Sequence, residues 1–67
     1  MKLKYDKKVD ALSIRFSGAK YVASEEVREG VLFDLDAKGK IIGIEILHAS
    51  KMLPKQLDSQ LHQLLVA

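Results

Sequence analysis

The chain of 67 residues contains no cysteine and no long apolar run. Without thiols it can form neither a disulfide framework nor a thiolate metal site, a composition that suits a reducing cytoplasm. No stretch approaches the ~20 apolar residues of a membrane-spanning helix, and the basic start at Lys2 and Lys4 is not followed by the apolar segment of a signal peptide. We therefore expect a soluble, cytoplasmic protein.

Catalytic motifs are also scarce. The chain has no G-x-S-x-G motif and no glycine loop of the kind that binds phosphate. His48 and His62 are the only histidines, and neither has the neighbouring ligands that a zinc site needs. A general base must also lie within hydrogen-bond reach of a nucleophile or substrate, and the serines occur in ordinary strand, turn and helix contexts. We expect no enzyme, and no catalytic, cofactor-binding or metal-binding residue.

The small size of the chain bears on how it is stabilised. Sixty-seven residues form one domain, over 1–67, and a chain of this length buries only about 60% of the surface that its unfolded form exposes. Domains this small usually need disulfides, a metal or a partner subunit. Since no cysteine is present, we expect a homodimer or a protein partner.

Apolar residues alternate with polar ones in four segments, the period of half-buried strands. A weaker strand is predicted around residues 21–27. The alternating apolar positions are Leu3 and Tyr5, then Leu12, Ile14 and Phe16, then Val31, Phe33 and Leu35, and finally Ile42, Ile44 and Ile46.

The parity of these positions predicts the strand register, because a slip by one residue would turn an apolar set to solvent. A turn at Lys38-Gly39, with a positive φ at Gly39, places Leu35 opposite Ile42. The same turn places Phe33 opposite Ile44 and Val31 opposite Ile46. A second hairpin at Ser17-Gly18 places Ile14 opposite Tyr21. Consecutive hairpins give an up-and-down meander, whose first pair of strands matches Leu3 with Ile14 and Tyr5 with Leu12.

The periodicity becomes helical after Leu47. Ser50 is placed to cap a short turn, and Pro54 suits the first position of a helix. The predicted fold is therefore α+β: an antiparallel meander of four to five strands over about 2–47, then an amphipathic helical segment over about 50–66. That segment is expected to pack on its own sheet or on a second subunit. Its apolar stripe consists of Leu53, Leu57, Leu61, Leu64 and Leu65.

Three carboxylates, Asp34, Asp36 and Glu45, share the sheet face opposite the predicted core. Such a set could bind a hard cation and serve a metal-dependent hydrolase. The register spreads them, since Asp34 lies opposite Gly43 and Glu45 opposite Leu32. We therefore favour a solvent-facing polar surface.

The charge distribution gives a further alternative, weak nucleic-acid binding through the basic N-terminal strands. Parity argues against it, because it turns Tyr5 and Tyr21 toward the apolar face, where neither can stack on bases. Lysines on the solvated strands also protect a sheet edge from aggregation. The basic residues are Lys2, Lys4, Lys7, Lys8, Arg15 and Lys20.

A series of short motifs resembles a known family. In order they are YD at 5–6, DALSIRF at 10–16, SEEV at 24–27, EGV at 29–31, DLD at 34–36 and GIEILHASK at 43–51. Together they resemble the family called domain of unknown function 2283, over roughly residues 2–53. The resemblance implies a small prokaryotic protein, with members in cyanobacteria, that forms a sheet with a short helix and has no established activity. The chain departs from the family pattern at His48 and in the leucine-rich tail after Pro54.

These observations favour a small, non-enzymatic protein-interaction module that self-associates. Nucleic-acid binding and a metal-dependent hydrolase stay open as alternatives.

Overall fold

A computed structural model describes residues 1–57 and shows a five-stranded antiparallel sheet with one short helix at its C-terminal side. The fold is mostly β, so α+β holds in the coarse sense of a sheet followed by a helix. The elements are β1 (Lys2–Asp6), β2 (Ala11–Arg15), β3 (Ala23–Arg28), β4 (Val31–Leu35), β5 (Ile41–Leu47), α1 (Ala49–Met52) and a 3₁₀ turn (Lys55–Leu57).

The strand order is β1-β2-β5-β4-β3, so the predicted up-and-down meander is wrong. Strand β2 pairs with β5, which places Ile14 opposite Ile44, and no hairpin forms at Ser17-Gly18 to bring Ile14 opposite Tyr21. In a meander β5 would be an edge strand, although it is the longest and most apolar one. The observed order buries β5 at the centre and leaves β3, in which every residue is exposed, at an edge.

The predicted β1–β2 and β4–β5 hairpins are both present. Leu3 pairs with Ile14 and Tyr5 with Leu12, as predicted. In the β4–β5 hairpin Val31 pairs with Ile46 and Phe33 with Ile44, also as predicted. Leu35 lies opposite Ile41 rather than Ile42, because an irregularity between Asp34 and Leu35 shifts the register. Gly39 has the predicted positive φ, 79°.

Helix α1 packs over one end of the apolar sheet face. Ala49 is fully buried and Leu12 is 7% exposed, and half-buried side chains surround them. The proposed cap by Ser50 is wrong: His48 is the N-cap, with φ 53°, and its side chain makes no capping hydrogen bond. The half-buried residues of this cluster are Tyr5, Ile14, Ile46 and Leu53.

Within the predicted helical segment over about 50–66, the short turn ends before Leu53, which is extended with φ −103° and ψ 155°. The cause is Pro54, whose ring disfavours helical geometry in the residue before it. The part of the predicted leucine stripe beyond Leu57 lies outside the described residues, as does His62. This part consists of Leu61, Leu64 and Leu65. No helix within residues 1–57 is long and apolar enough to cross a membrane.

Candidate functional site

The apolar face of the sheet is only partly covered by α1. The register places eight apolar side chains on this face, since alternate residues of paired strands point the same way. Leu3 is 46% exposed, and no large side chain in residues 1–56 is fully buried. The eight are Leu3, Tyr5, Leu12, Ile14, Val31, Phe33, Ile44 and Ile46.

Further apolar side chains are exposed around the sheet. The exposed part of the apolar face itself, rather than these scattered side chains, is the kind of surface that usually marks a contact with another molecule. The strongly exposed members of the sheet and its flanking loops are Phe16, Tyr21, Val22, Val27 and Ile41.

The opposite, polar face carries two cross-strand rows. In the first row Lys2 pairs with Arg15, Arg15 with Gly43, Gly43 with Asp34, and Asp34 with Ser24. Positive charge therefore lies on β1 and β2, and negative charge on β3 to β5. The second row runs Lys4, Ser13, Glu45, Leu32 and Glu26.

Asp34 is buried, at 6% exposure, and the expectation of a solvent-facing carboxylate is wrong for it. Ser24 Oγ donates to Asp34 Oδ1 at 3.0 Å, and the Tyr21 hydroxyl lies 2.7 Å from Ser24 Oγ. Gly43 makes the space: a Cβ there would lie 3.2 Å from Asp34 Oδ2 and 2.8 Å from the Ile14 carbonyl oxygen. The carboxylate leans over the glycine toward β5, which removes it from water.

Glu45 meets Asp34 on this face. A hydrogen bond with Asp34, burial and the negative charge of Asp34 raise the pKa of Glu45 to about 7, while Arg15 acts in the opposite direction. A protonated Glu45 can donate to Asp34, as two carboxyl groups that share one proton do. The predicted register is confirmed, since Asp34 lies opposite Gly43 and Glu45 opposite Leu32. Asp34 and Glu45 are therefore diagonal neighbours on one face of the sheet, near enough for their side chains to interact.

Asp36 does not join this pair. Its Oδ1 accepts the backbone N–H groups of Lys38 and Lys40, both at 2.9 Å, and so fixes the β4–β5 turn. Residues 1–57 contain no group of three or more histidine, cysteine or acidic side chains that could hold a metal ion. The structure thus does not assemble the trio of Asp34, Asp36 and Glu45.

Asp10 connects α1 to the β1–β2 turn, a role that local sequence reasoning missed. Its Oδ1 accepts the Tyr5 hydroxyl at 2.5 Å and the Ser50 N–H at 3.0 Å, while Ser50 Oγ donates to Oδ2 at 2.7 Å. Its carbonyl accepts the Ala49 N–H at 2.9 Å. The hydrogen bonds from Tyr5 and Ser50 lower the pKa of Asp10, and the nearby His48 adds to this effect. The sequence placed Asp10 only in the loop between the first two strands. Its partner Ser50 is 40 residues away along the chain, so no local pattern indicates their contact.

The basic residues of the N-terminal half separate in the fold. Lys2, Lys4 and Arg15 line a shallow depression of about 520 Å³ beside Phe16, which is 44% exposed. Arg15 also donates to the Ala19 carbonyl at 3.4 Å. Lys7 and Lys8 lie in the β1–β2 turn, and Lys20 lies in the loop before β3. Tyr5 packs against the core as expected, whereas the Tyr21 hydroxyl bonds to Ser24 of the polar face.

A family model described as "Protein of unknown function (DUF2283)" matches residues 2–50. The chain belongs to this family. The segment that defines this DUF2283 protein runs from β1 into α1, so it includes the carboxyl pair of Asp34 and Glu45 and the link between Asp10 and Ser50. No curated protein and no solved structure matches the chain.

Proposed function

We propose that this DUF2283 protein is a non-enzymatic interaction module that self-associates through the apolar face of its sheet. The observation that carries the proposal is the thin core. Within residues 1–56 the buried hydrophobic side chains are Leu12, Ile42 and Ala49. The remaining apolar side chains of the face are half-buried or exposed, and a second layer would remove them from water.

The dimensions of the face support a second copy as that layer. Five strands spaced ~4.8 Å apart, each about five residues long at ~3.4 Å per residue, give a face of roughly 400 Å² in projection. Two copies of the whole face measure about 800 Å² in projection. Helix α1 already covers part of this area, whereas the corrugation of the side chains makes the accessible surface larger than the projection. The projected area approaches the ~1,000 Å² expected of a specific interface.

The symmetry of such a contact is simple. A two-fold axis places the same face on both sides of the interface, so the apolar side chains of β1, β2, β4 and β5 meet a second copy of the same set. On the edge strand β3 the register adds Glu25 and Arg28 to this face, opposite Phe33 and Val31. Sheets packed face to face lie ~10 Å apart and interdigitate their side chains. Burying a side chain such as Leu3 or Phe33 contributes about 1.5–3 kcal/mol.

A matched pair of substitutions tests the proposal. Leu3→Glu places a charge on the apolar face, whereas Val9→Glu places one in the β1–β2 turn, where Val9 is 64% exposed. Light scattering after size exclusion should show a dimer for the wild type and Val9→Glu, and a monomer for Leu3→Glu. Circular dichroism should show that the Leu3→Glu monomer is folded. A wild-type monomer with a protected apolar face would show that the chain's own residues after Leu57 cover it, and would overturn self-association.

Nucleic-acid binding is a second candidate, favoured by the cross-strand pairing of Lys2 with Arg15. Like charges directly opposite each other destabilise a sheet, and an anion between them relieves the repulsion. Phe16 stands beside them as a surface on which a base could stack.

The test of this candidate is salt-dependent binding to single-stranded DNA or RNA. Replacing Lys2 and Lys4 by Ala should abolish the binding, whereas replacing Lys7 and Lys8 by Ala should leave most of it. Binding that does not weaken as salt rises, or equal losses in the two double variants, would contradict the candidate.

A further inference from the structure

The carboxyl pair of Asp34 and Glu45 joins neighbouring strands in the middle of the sheet. Asp34 lies on β4, with one oxygen held by Ser24 of β3 and the other turned over Gly43 of β5. Glu45 lies two residues beyond Gly43 on the same face of β5, and it is half-buried. The two side chains are diagonal neighbours on one face of paired strands, and charging both makes them repel each other, particularly because Asp34 is removed from water.

We propose that Asp34 and Glu45 form a proton-dependent latch between β4 and β5. With one shared proton the pair is a hydrogen bond across the two strands. When the proton leaves, two negative charges face each other across the same strands, and the folded state loses stability. The latch is independent of the proposed self-association, since it lies on the opposite face of the sheet.

The charged and titratable groups around the pair act in both directions. From β2, Arg15 favours the charged form of Glu45, and Lys2 and Lys4 of β1 extend the same two rows. From β3, Glu26 stands in the row of Glu45 and adds negative charge. Asp36 lies at the end of β4, bonded to its own turn, and the Tyr21 hydroxyl reaches the pair only through Ser24. Helix α1 packs on the other face.

The direction of the pH effect follows from the raised pKa of Glu45. The folded protein holds this proton up to pH of about 7, whereas the unfolded chain releases it near 4.5. Between these values the folded state binds more protons, so the stability that this pair contributes is fully present below about 4.5 and is lost as pH rises through about 7. The difference between the pKa values of 4.5 and about 7 limits the change in the folding equilibrium constant to about 300-fold. Partial solvent exposure of Glu45 reduces this effect, and we expect the folding equilibrium constant to change at least tenfold.

The experiment is urea unfolding of the full chain at fixed concentration, at several values between about pH 5 and pH 8. The variants are Glu45→Gln, which is neutral at every pH, and Glu29→Gln, which neutralises an exposed turn carboxylate. Over this range the folding equilibrium constant of the wild type and of Glu29→Gln should fall by a factor at least ten times larger than that of Glu45→Gln. Titration of His48 and His62 is common to all three proteins and cancels in the comparison.

A second measurement requires no variant. Carbon NMR of the wild type should show the Glu45 carboxyl titrating near neutral pH. A Glu45 midpoint near 4.5, or equal pH profiles for the wild type and Glu45→Gln, would overturn the latch.

Discussion

Asp10 holds α1 against the β1–β2 turn through both of its carboxylate oxygens, and replacing it should destabilise the whole domain. Asp10→Ala removes the acceptor of the Tyr5 hydroxyl and of the Ser50 N–H and hydroxyl. Hydrogen bonds to a charged group contribute about 1.5–3 kcal/mol each when buried, and these are partly exposed and therefore weaker. Asp10 also has φ 55°, which is strained for alanine by about 1 kcal/mol.

We expect Asp10→Ala to lower the free energy of unfolding by about 2–4 kcal/mol, which for a domain of this size is a fall in Tm of roughly 10–25 °C. Asp10→Asn is the matched control. Asparagine tolerates the left-handed conformation and keeps one oxygen acceptor, so it should cost about 1 kcal/mol or less. Thermal unfolding followed by circular dichroism measures both.

The charge of Asp10 adds a pH signature. Its pKa is lowered from 3.8 in the folded protein, so its contribution is present above that value and is lost as pH falls through the folded pKa. The difference between wild type and Asp10→Asn should therefore shrink in acid. Equal losses from alanine and asparagine at neutral pH would refute the reasoning, because neither the backbone strain nor the retained acceptor would then matter.

Three further predictions concern the turn and the polar face. Gly39→Val should destabilise the domain by more than 1 kcal/mol and Gly39→Asn by much less, because φ is 79° and no atom lies within 4 Å of a Cβ at this position; equal losses would mean that the backbone is not the cause. Gly43→Ala should lower the free energy of unfolding by about 1–3 kcal/mol, measured by urea unfolding, since its Cβ would lie 2.8 Å from the Ile14 carbonyl oxygen. Gly18→Ala, with open space around the new Cβ, should be nearly neutral. Similar values for both variants would contradict the close approach at Gly43. Asp34→Asn should lower the pKa of Glu45 toward 4.5 in an NMR titration, because it weakens the hydrogen bond between the two side chains and removes the neighbouring charge, whereas Asp36→Asn should leave that pKa near 7. An unmoved pKa in Asp34→Asn would mean that Asp34 does not raise it.

Parity predicted the register of the β1–β2 hairpin and of the β4–β5 hairpin up to Asp34, because a slip by one residue has a large cost. It was wrong for Leu35, which lies opposite Ile41, and for Tyr21, whose hydroxyl bonds to Ser24 of the polar face. It could not predict the strand order. Ile14 fits opposite Tyr21 as well as opposite Ile44 by parity, and only the burial of β5 at the sheet centre decides between them.

The burial of Asp34 was missed for a related reason. It depends on Gly43 of the neighbouring strand, which leaves room for the carboxylate, and on Ser24 as a hydrogen-bond donor. The link between Asp10 and Ser50 joins positions 40 residues apart, and no local pattern indicates it. Polar networks of this kind form from tertiary contacts, so periodicity does not reveal them.

Sedimentation equilibrium of the wild-type chain over a range of concentrations tests self-association most directly. Self-association predicts a mass of about twice the 7.5 kDa chain at micromolar concentration and above, falling toward one chain on dilution. A folded species with the mass of a single chain at every concentration would contradict it.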